Sequence, residues 1–221
     1  MSLLKQSNTT LKNTTAIVIV VAVLCAGIFV VVWRNNSETS NEGVVAVSTD
    51  APLSDVTESF AKPLPKSNPT RLRIPKLFID TWFVPLGLDE DGEMEVPSGY
   101  EEVGWYTYGP TPGEIGPAIV LGHVDSYEGA GVFMYLGQLA QGDTFFVDRE
   151  DGTTAEFRVT SLERYDRDEF PTKKVYGDLG YAGIRLITCS GTYDRESGLY
   201  DRVLVVYGAL VDAKQAKYNE L

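Results

Sequence analysis

The sequence TFFVDREDGTTAEFRV, residues 144–159, contains two short β-branched and aromatic runs separated by a turn signal. Residues 144–147 and 155–159 each favour an extended strand. Asp151-Gly152 between them is typical of a tight hairpin turn, because glycine adopts the backbone conformations that such turns require. This stretch therefore predicts two antiparallel strands.

Short β-branched and aromatic runs separated by turn residues recur on both sides of this hairpin, from Thr70 towards the C-terminus, at intervals of roughly ten residues. Further strands are predicted at residues 72–74, 78–86, 118–121, 184–188 and 203–207. Many short strands with so little helix indicate an all-β domain, either a closed barrel or a sandwich. About 140 residues are enough for one domain with a single core.

Residues 16–33 carry no charge and are followed by Arg34. A helix of this length spans roughly 27 Å, which is near the lower limit for crossing a bilayer. Lys5 and Lys12 precede the run and all 31 carboxylates follow it, so the positive-inside rule predicts a cytoplasmic tail at 1–15. A cleaved signal peptide is the alternative, but its apolar core is usually shorter and no clear small-x-small cleavage site follows. We therefore expect one transmembrane helix at 16–33 in the cell membrane.

Residues 34–69 are rich in Ser, Thr, Asn, Pro and Glu and predict a flexible extracellular stalk, followed by a folded domain at 70–221. The part of the chain after the apolar run has 17 basic residues, the 19 of the whole chain less Lys5 and Lys12, against 31 acidic ones. Its formal net charge is -14. Nucleic acid and anionic lipid are poor partners for such a surface.

Cys189 is the only cysteine outside the apolar run, and it ends a predicted buried strand. Because it has no disulfide partner in the exported part, it is a reactive thiol, a site of intermolecular pairing or an inert buried cysteine. His123 is the only histidine of the chain and follows another apolar strand. Cys/His chemistry would therefore have one available pair, with both residues at strand ends where a rigid scaffold holds side chains that reach solvent.

A thiol that attacks an acyl group also needs a positive group or oriented donors for the oxyanion. Arg202 is the favoured candidate, since it begins the last predicted strand, which would return beside the strand of Cys189. Arg195 is closer in sequence but lies among Asp194, Glu196 and other residues typical of a solvated loop.

The segment Leu186-Ile187-Thr188-Cys189 resembles the nucleophile motif of sortases, the membrane-anchored cysteine transpeptidases of Gram-positive bacterial surfaces. Gly122-His123 upstream and Arg202 downstream extend the resemblance at the family's spacing. It implies a closed sortase-type β-barrel of about eight strands with short helices, and a catalytic domain at 70–221. Arg185 stands where the family motif often has threonine. Residues 104–106, 112–116 and 122–126 are most similar to the actinobacterial class E and F sortases, with a lean towards class F.

The resemblance implies that Cys189 attacks the threonine carbonyl of an LPxTG-like sorting signal, that His123 serves as acid and base, and that Arg202 stabilises the oxyanion. Thr188 is implied as a contact to the sorting signal. The acyl group then passes to an amine, either of a peptidoglycan precursor or of a pilin lysine, with no cofactor. Asp125 is open to two interpretations: it biases His123 by a hydrogen bond, or it caps a turn.

Two other classes of function stay open on the residues alone, a secreted cysteine protease and a non-enzymatic surface binding module with an inert cysteine. The papain-like protease fold needs helices, which this sequence does not predict. The acidic residues of segment 89–95 could gather Ca²⁺, but they lack a recognised ligand spacing and favour a solvated turn. We therefore assign no metal site.

Overall fold

The computed structural model describes residues 60–215. They form ten strands, one short α-helix and three 3₁₀ turns. The strands are β1 (Pro69–Ile74), β2 (Ile79–Leu86), β3 (Val103–Tyr106), β4 (Gly116–Leu121), β5 (Asp125–Ser126), β6 (Gly129–Ala130), β7 (Thr144–Arg149), β8 (Thr153–Asp166), β9 (Ala182–Asp194) and β10 (Leu199–Gln215). The helix α1 is Thr172–Tyr176, and the 3₁₀ turns are Pro75–Leu77, Leu136–Gln138 and Arg167–Glu169.

Eight of these strands close into one barrel, in the order β1-β2-β3-β4-β9-β10-β8-β7, and β7 pairs with β1 to complete it. Strands β5 and β6 form a separate two-stranded hairpin. The prediction of an all-β closed barrel of about eight strands with short helices is confirmed.

The hairpin predicted at residues 144–159 is β7 and β8, joined by a turn in which Gly152 has φ +79°. Phe145 lies opposite Phe157 and Val147 opposite Ala155, and all four side chains are buried in the barrel. The residues between them are more exposed, because successive side chains of a strand point to opposite faces. Burial on alternate positions therefore fixes the register of this hairpin.

The site depends on three adjacent strands. Strand β9 runs parallel to β4 on one side and antiparallel to β10 on the other. Its Ile184 and Leu186 point into the barrel core. Its Ile187 faces outward into a second apolar cluster, where Val175 of α1 covers it. Helix α1 is thereby held against the outer face of these strands.

The first described residues pack along the barrel. Phe60 stacks on Tyr181 with ring centroids 4.6 Å apart. The backbone N–H of Ala61 donates to Leu210 O at 3.0 Å, and that of Leu64 donates to Gly113 O at 2.8 Å. Residues 60–68, which the composition assigned to the stalk, thus have a defined path over the folded domain.

The predicted cytoplasmic tail at 1–15, the predicted transmembrane helix at 16–33 and the predicted stalk up to residue 59 lie outside the described residues. Between residues 60 and 215, none of the helices has the length and apolar character needed to cross a bilayer.

Candidate active site

A cleft of about 650 Å³ opens beside the end of β4 and the strands β9 and β10. Both residues of the predicted pair, His123 and Cys189, line it, and so does Thr188. Most of the remaining wall is apolar or aromatic, with Val96, Pro97, Tyr100, Leu121, Phe170, Tyr176, Ile187, Leu199 and Val203 among the lining residues. A concave, largely apolar site with a few polar groups is the form that substrate sites usually take.

Cys189 lies on β9 directly opposite Val203 of β10, and it is exposed to solvent. The neighbouring protein atoms remove part of the thiolate's hydration, and this desolvation raises the pKa of the thiol. The positive charge of Arg167, a residue of the cleft wall, acts in the opposite direction, and the carboxylate of Asp125 reinforces the rise. The free thiol is therefore the dominant form at neutral pH, and a nearby base is needed to generate the nucleophile.

His123 follows β4 in a turn that is tied to the strand of the thiol. The N–H of Gly122 donates to Ile187 O at 3.1 Å. The ring Nε2 lies 2.7 Å from the carbonyl oxygen of Pro97, and the ring packs 4.7 Å from that of Tyr100. Since a carbonyl oxygen only accepts, Nε2 carries a proton in this arrangement, and the neutral ring has Nδ1 as its acceptor.

Thr188 lies opposite Leu204 and is buried. Its Oγ1 is buried without a hydrogen-bond partner among residues 60–215. Thr188 is one position before Cys189, so its side chain lies on the face of β9 that Leu186 directs into the barrel core and not on the face of the thiol.

Arg202 is placed differently from the other three candidates. It lies opposite Ser190, one position from the Cys189–Val203 pair, and so projects from the other face of the sheet. Its Nε donates to Asp166 at 2.9 Å, and Arg202 is not among the residues that line the cleft. Within the described part of the chain, the structure brings His123, Cys189 and Thr188 together but not Arg202.

Arg167 is the arginine that lines the cleft, at the end of β8 next to Asp166. Its position follows from the 3₁₀ turn Arg167–Glu169, which redirects the chain towards α1. The sequence gives no local sign of this position, because the neighbours Asp166, Asp168 and Glu169 are typical of a solvated turn. Arg195, the rejected alternative to Arg202, is exposed at the tip of the β9–β10 hairpin.

Asp125 neither binds His123 nor simply caps a turn. Its carboxylate accepts a hydrogen bond from the hydroxyl of Tyr200 on β10. Both residues line the cleft. Tyr200 also escaped the sequence analysis, since a tyrosine in an exposed hairpin carries no local signal of such a contact.

The acidic segment 89–95 forms a turn. The carboxylate of Asp89 accepts the N–H groups of Asp91 and Glu93 at 3.0 and 2.9 Å. The Glu95 carboxylate accepts the N–H of Gly87 at 2.6 Å. Over residues 60–215, the acidic, histidine and cysteine side chains form no group of three or more that could hold a metal ion.

One family model covers both the barrel and the segment that ends at Cys189. A family model described as the sortase domain matches residues 72–211, which include His123, Cys189 and Arg202. The chain belongs to the sortase family. A search of curated proteins gave no match.

Solved sortase structures resemble this one in fold. Sortase C-1 from Actinomyces oris is 23% identical, with a TM-score of 0.52 over 66% of this chain and 76% of that one. Sortase C1 from Streptococcus suis is 17% identical, with a TM-score of 0.52 over 69% and 77%. Sortase A from Corynebacterium diphtheriae is 19% identical, with a TM-score of 0.51 over 71% and 65%. These neighbours are sortases of classes C and A, and they do not confirm the lean towards class E or F.

Proposed function

We propose that this sortase is a membrane-anchored cysteine transpeptidase, which cleaves an LPxTG-like sorting signal and transfers the acyl part to an amine of a cell-wall precursor. Sortases are cysteine transpeptidases, and the domain at residues 72–211 belongs to that family. The observation that carries the proposal is that Cys189, His123 and Thr188 line one cleft. Chain order and fold argue against a papain-like protease, because this pair lies in a barrel with one short α-helix among the described residues.

In the first step, the Cys189 sulfur attacks the carbonyl carbon of the signal's threonine, and a C–S bond forms as the thiol proton passes to His123. The peptide C–N bond to glycine then breaks, and His123 returns the proton to the departing amine. In the second step, the acceptor amine gives up a proton to His123 and attacks the thioester. A C–N bond forms and the C–S bond breaks, and His123 passes its proton to the departing sulfur, which restores the thiol.

The oxyanion of both steps requires a positive group or N–H donors. We assign this role to Arg202, which the family motif supports. Its guanidinium binds Asp166, so it would have to exchange this carboxylate for substrate oxygens when the signal binds. The resemblance assigns Thr188 as a contact to the signal, and Thr188 lines the same cleft.

The subclass and the acceptor belong to the same proposal. The motifs around residues 104–106, 112–116 and 122–126 support class E or F, with anchoring through residues 16–33 and an extracellular catalytic domain. Transfer to a lysine of a pilin subunit is the alternative.

Purified catalytic domain would be incubated with an LPxTG peptide and three amines: a glycine peptide, a peptidoglycan-stem amine and a lysine-containing pilin peptide.

Amide formation that depends on Cys189 supports the transpeptidase, and the preferred amine identifies the acceptor class. Hydrolysis of many unrelated peptides would instead indicate a protease. Absence of any reaction, together with failure of the peptide to form a thioester on Cys189 detectable by mass spectrometry, would leave the surface binding module.

A further inference from the structure

The hydrogen bond between Tyr200 and Asp125 joins two walls of the cleft that carry different parts of the site. Asp125 lies two residues after His123, in β5. Tyr200 lies in β10, three residues before Val203, which is opposite Cys189. The contact therefore links the turn of the histidine to the pair of strands that carries the thiol.

The turn of His123 is bonded to the segment that follows it, since the N–H of Phe133 donates to His123 O at 2.9 Å and that of Gly131 donates to Val124 O at 3.0 Å, but neither bond reaches β9 or β10. Before the histidine, Gly122 is fixed by its N–H bond to Ile187 O. After the histidine, the chain enters the β5–β6 hairpin, whose residues Glu128 to Ala130 are exposed. Asp125 thus supplies a second contact to these strands, after His123 in the chain. His123 therefore lies between two residues, Gly122 and Asp125, that are both bonded to the strands of the thiol.

The bond is of a strong type. A carboxylate that accepts from a phenol makes a charge-assisted hydrogen bond, shorter and stronger than one between neutral groups. It raises the pKa of Tyr200 to about 12, because ionisation of the phenol would place a second negative charge beside Asp125. The hydroxyl consequently remains a donor throughout the neutral range.

The tyrosine is itself held in place. Its ring packs 5.2 Å from that of Tyr193, its partner across the β9–β10 ladder. Because the Tyr200 ring is restrained in this way, its hydroxyl can hold the Asp125 carboxylate in a fixed position. Side chains that are locked by packing hold a site more closely than side chains that move freely.

We propose that Asp125 and Tyr200 are positioning residues, whose hydrogen bond holds the turn of His123 at the distance from Cys189 that proton transfer requires. This inference rests on the proposed function. It predicts that the bond affects the chemical steps rather than the binding of the sorting signal.

The test compares Tyr200→Phe, Asp125→Ala and Asp125→Asn in the peptide-transfer reaction. Tyr200→Phe removes only the donor, and Asp125→Ala removes the acceptor. We expect each to lower kcat by about tenfold to a hundredfold, the range that a displaced catalytic group can cost, with KM changed by less than about twofold. Asp125→Asn keeps an acceptor oxygen and should recover most of kcat. The double variant Asp125→Ala/Tyr200→Phe should be no worse than the worse single variant, because both remove one interaction.

Ser197→Ala is the matched control. It removes a hydroxyl that donates to Asp194 at 2.7 Å in the same hairpin, and Ser197 is not among the residues that line the cleft. It should transfer at the parent rate. Equal losses of kcat in Ser197→Ala and Tyr200→Phe would overturn the proposal, because they would show that the bond only stiffens the hairpin. A kcat equal to that of the parent in Tyr200→Phe and Asp125→Ala would also overturn it, because the bond would then have no effect on the reaction.

A second measurement needs no sorting signal and separates this inference from the proposed function. The rate of Cys189 alkylation by iodoacetamide is followed against pH in the parent, in His123→Ala and in Tyr200→Phe. If His123 assists the thiol, the first two profiles differ, and Tyr200→Phe should resemble His123→Ala. If Tyr200→Phe keeps the parent profile, or if the parent and His123→Ala coincide, the positioning contact is refuted whatever the transfer assay gives. Failure of the parent to transfer any peptide, with Tyr200→Phe still resembling His123→Ala, would refute the proposed function alone.

Discussion

Val203 lies directly opposite Cys189 in the antiparallel ladder of β9 and β10. Residues opposite each other share a face of the sheet, so Arg202 and Ser190, the next pair, share the other face. Arg202 binds Asp166 there, 2.9 Å away. This geometry separates the thiol from the arginine that the family motif assigns to it, and the separation makes Arg202 the most informative residue to substitute.

Arg202→Lys is expected to reduce peptide transfer on the order of 10²–10³-fold, the typical cost of losing one oxyanion donor. Lysine keeps the charge but lacks the planar fork that can donate to two oxygens together. Arg195→Lys should stay within a few-fold of the parent, since this side chain is exposed at a hairpin tip. Steady-state kinetics, with folding checked by thermal melting, compares the two.

Asp166→Asn separates catalysis from the ion pair. It removes the carboxylate and leaves the guanidinium of Arg202 free, so we expect transfer to be retained. Equal losses in Asp166→Asn and Arg202→Lys would show that the ion pair has a structural role, and a larger loss in Arg167→Gln than in Arg202→Lys would move the oxyanion role to Arg167.

Cys189→Ala should abolish formation of the acyl-enzyme, because the described domain has no second cysteine. His123→Ala should lower turnover by about 10²–10⁴-fold, the usual contribution of general acid–base catalysis. Intact-mass spectrometry detects the thioester, and product analysis measures turnover. Near-parent transfer by either variant would exclude the mechanism.

Arg167→Gln should raise the pKa of the Cys189 thiol further, because the charge of Arg167 favours the thiolate. At a pH below the pKa of the thiol, a higher pKa means less thiolate and slower alkylation, and the difference should vanish once the pH exceeds both values. Arg158→Gln, in the preceding strand β8 and not among the residues that line the cleft, is the control. Faster alkylation of Arg167→Gln at neutral pH would contradict the sign.

Gly131→Ala should displace the turn of His123 while leaving the barrel folded. A Cβ at this position would lie 2.4 Å from the backbone oxygen of His123, too close for any real contact. We expect a loss of transfer of at least about tenfold. Gly180→Ala is the matched control, since a Cβ there has no neighbour within 4 Å. Similar activities of the two variants would mean that the position of this turn is not critical.

The predicted transmembrane helix at 16–33 implies a cytoplasmic N-terminus and an extracellular domain. Protease treatment of intact cells without their wall should remove the domain after residue 70 and spare an N-terminal tag, as the positive-inside rule predicts from Lys5 and Lys12. Edman sequencing of the mature protein checks the same point. A mature chain that begins after Trp33 would replace the anchor with a cleaved signal peptide.

Local sequence patterns were enough to predict the all-β class and the candidate Cys/His pair. The β-branched and aromatic runs around Phe145 and Phe157, with Asp151-Gly152 between them, are a local pattern that needs no knowledge of distant residues. His123 is the one histidine and Cys189 the one cysteine outside the apolar run, so the candidates for Cys/His chemistry followed from counting.

Long-range strand pairing determines which residues face one another in the cleft. The pairing of β4 with β9 joins distant parts of the chain, and it places Gly122 beside Ile187. An irregularity of the ladder between Tyr200 and Arg202 sets which face each of them occupies. Because a shift of one residue moves every following side chain to the opposite face, neither the direction of Arg202 nor the contact of Tyr200 with Asp125 could be read from spacing alone.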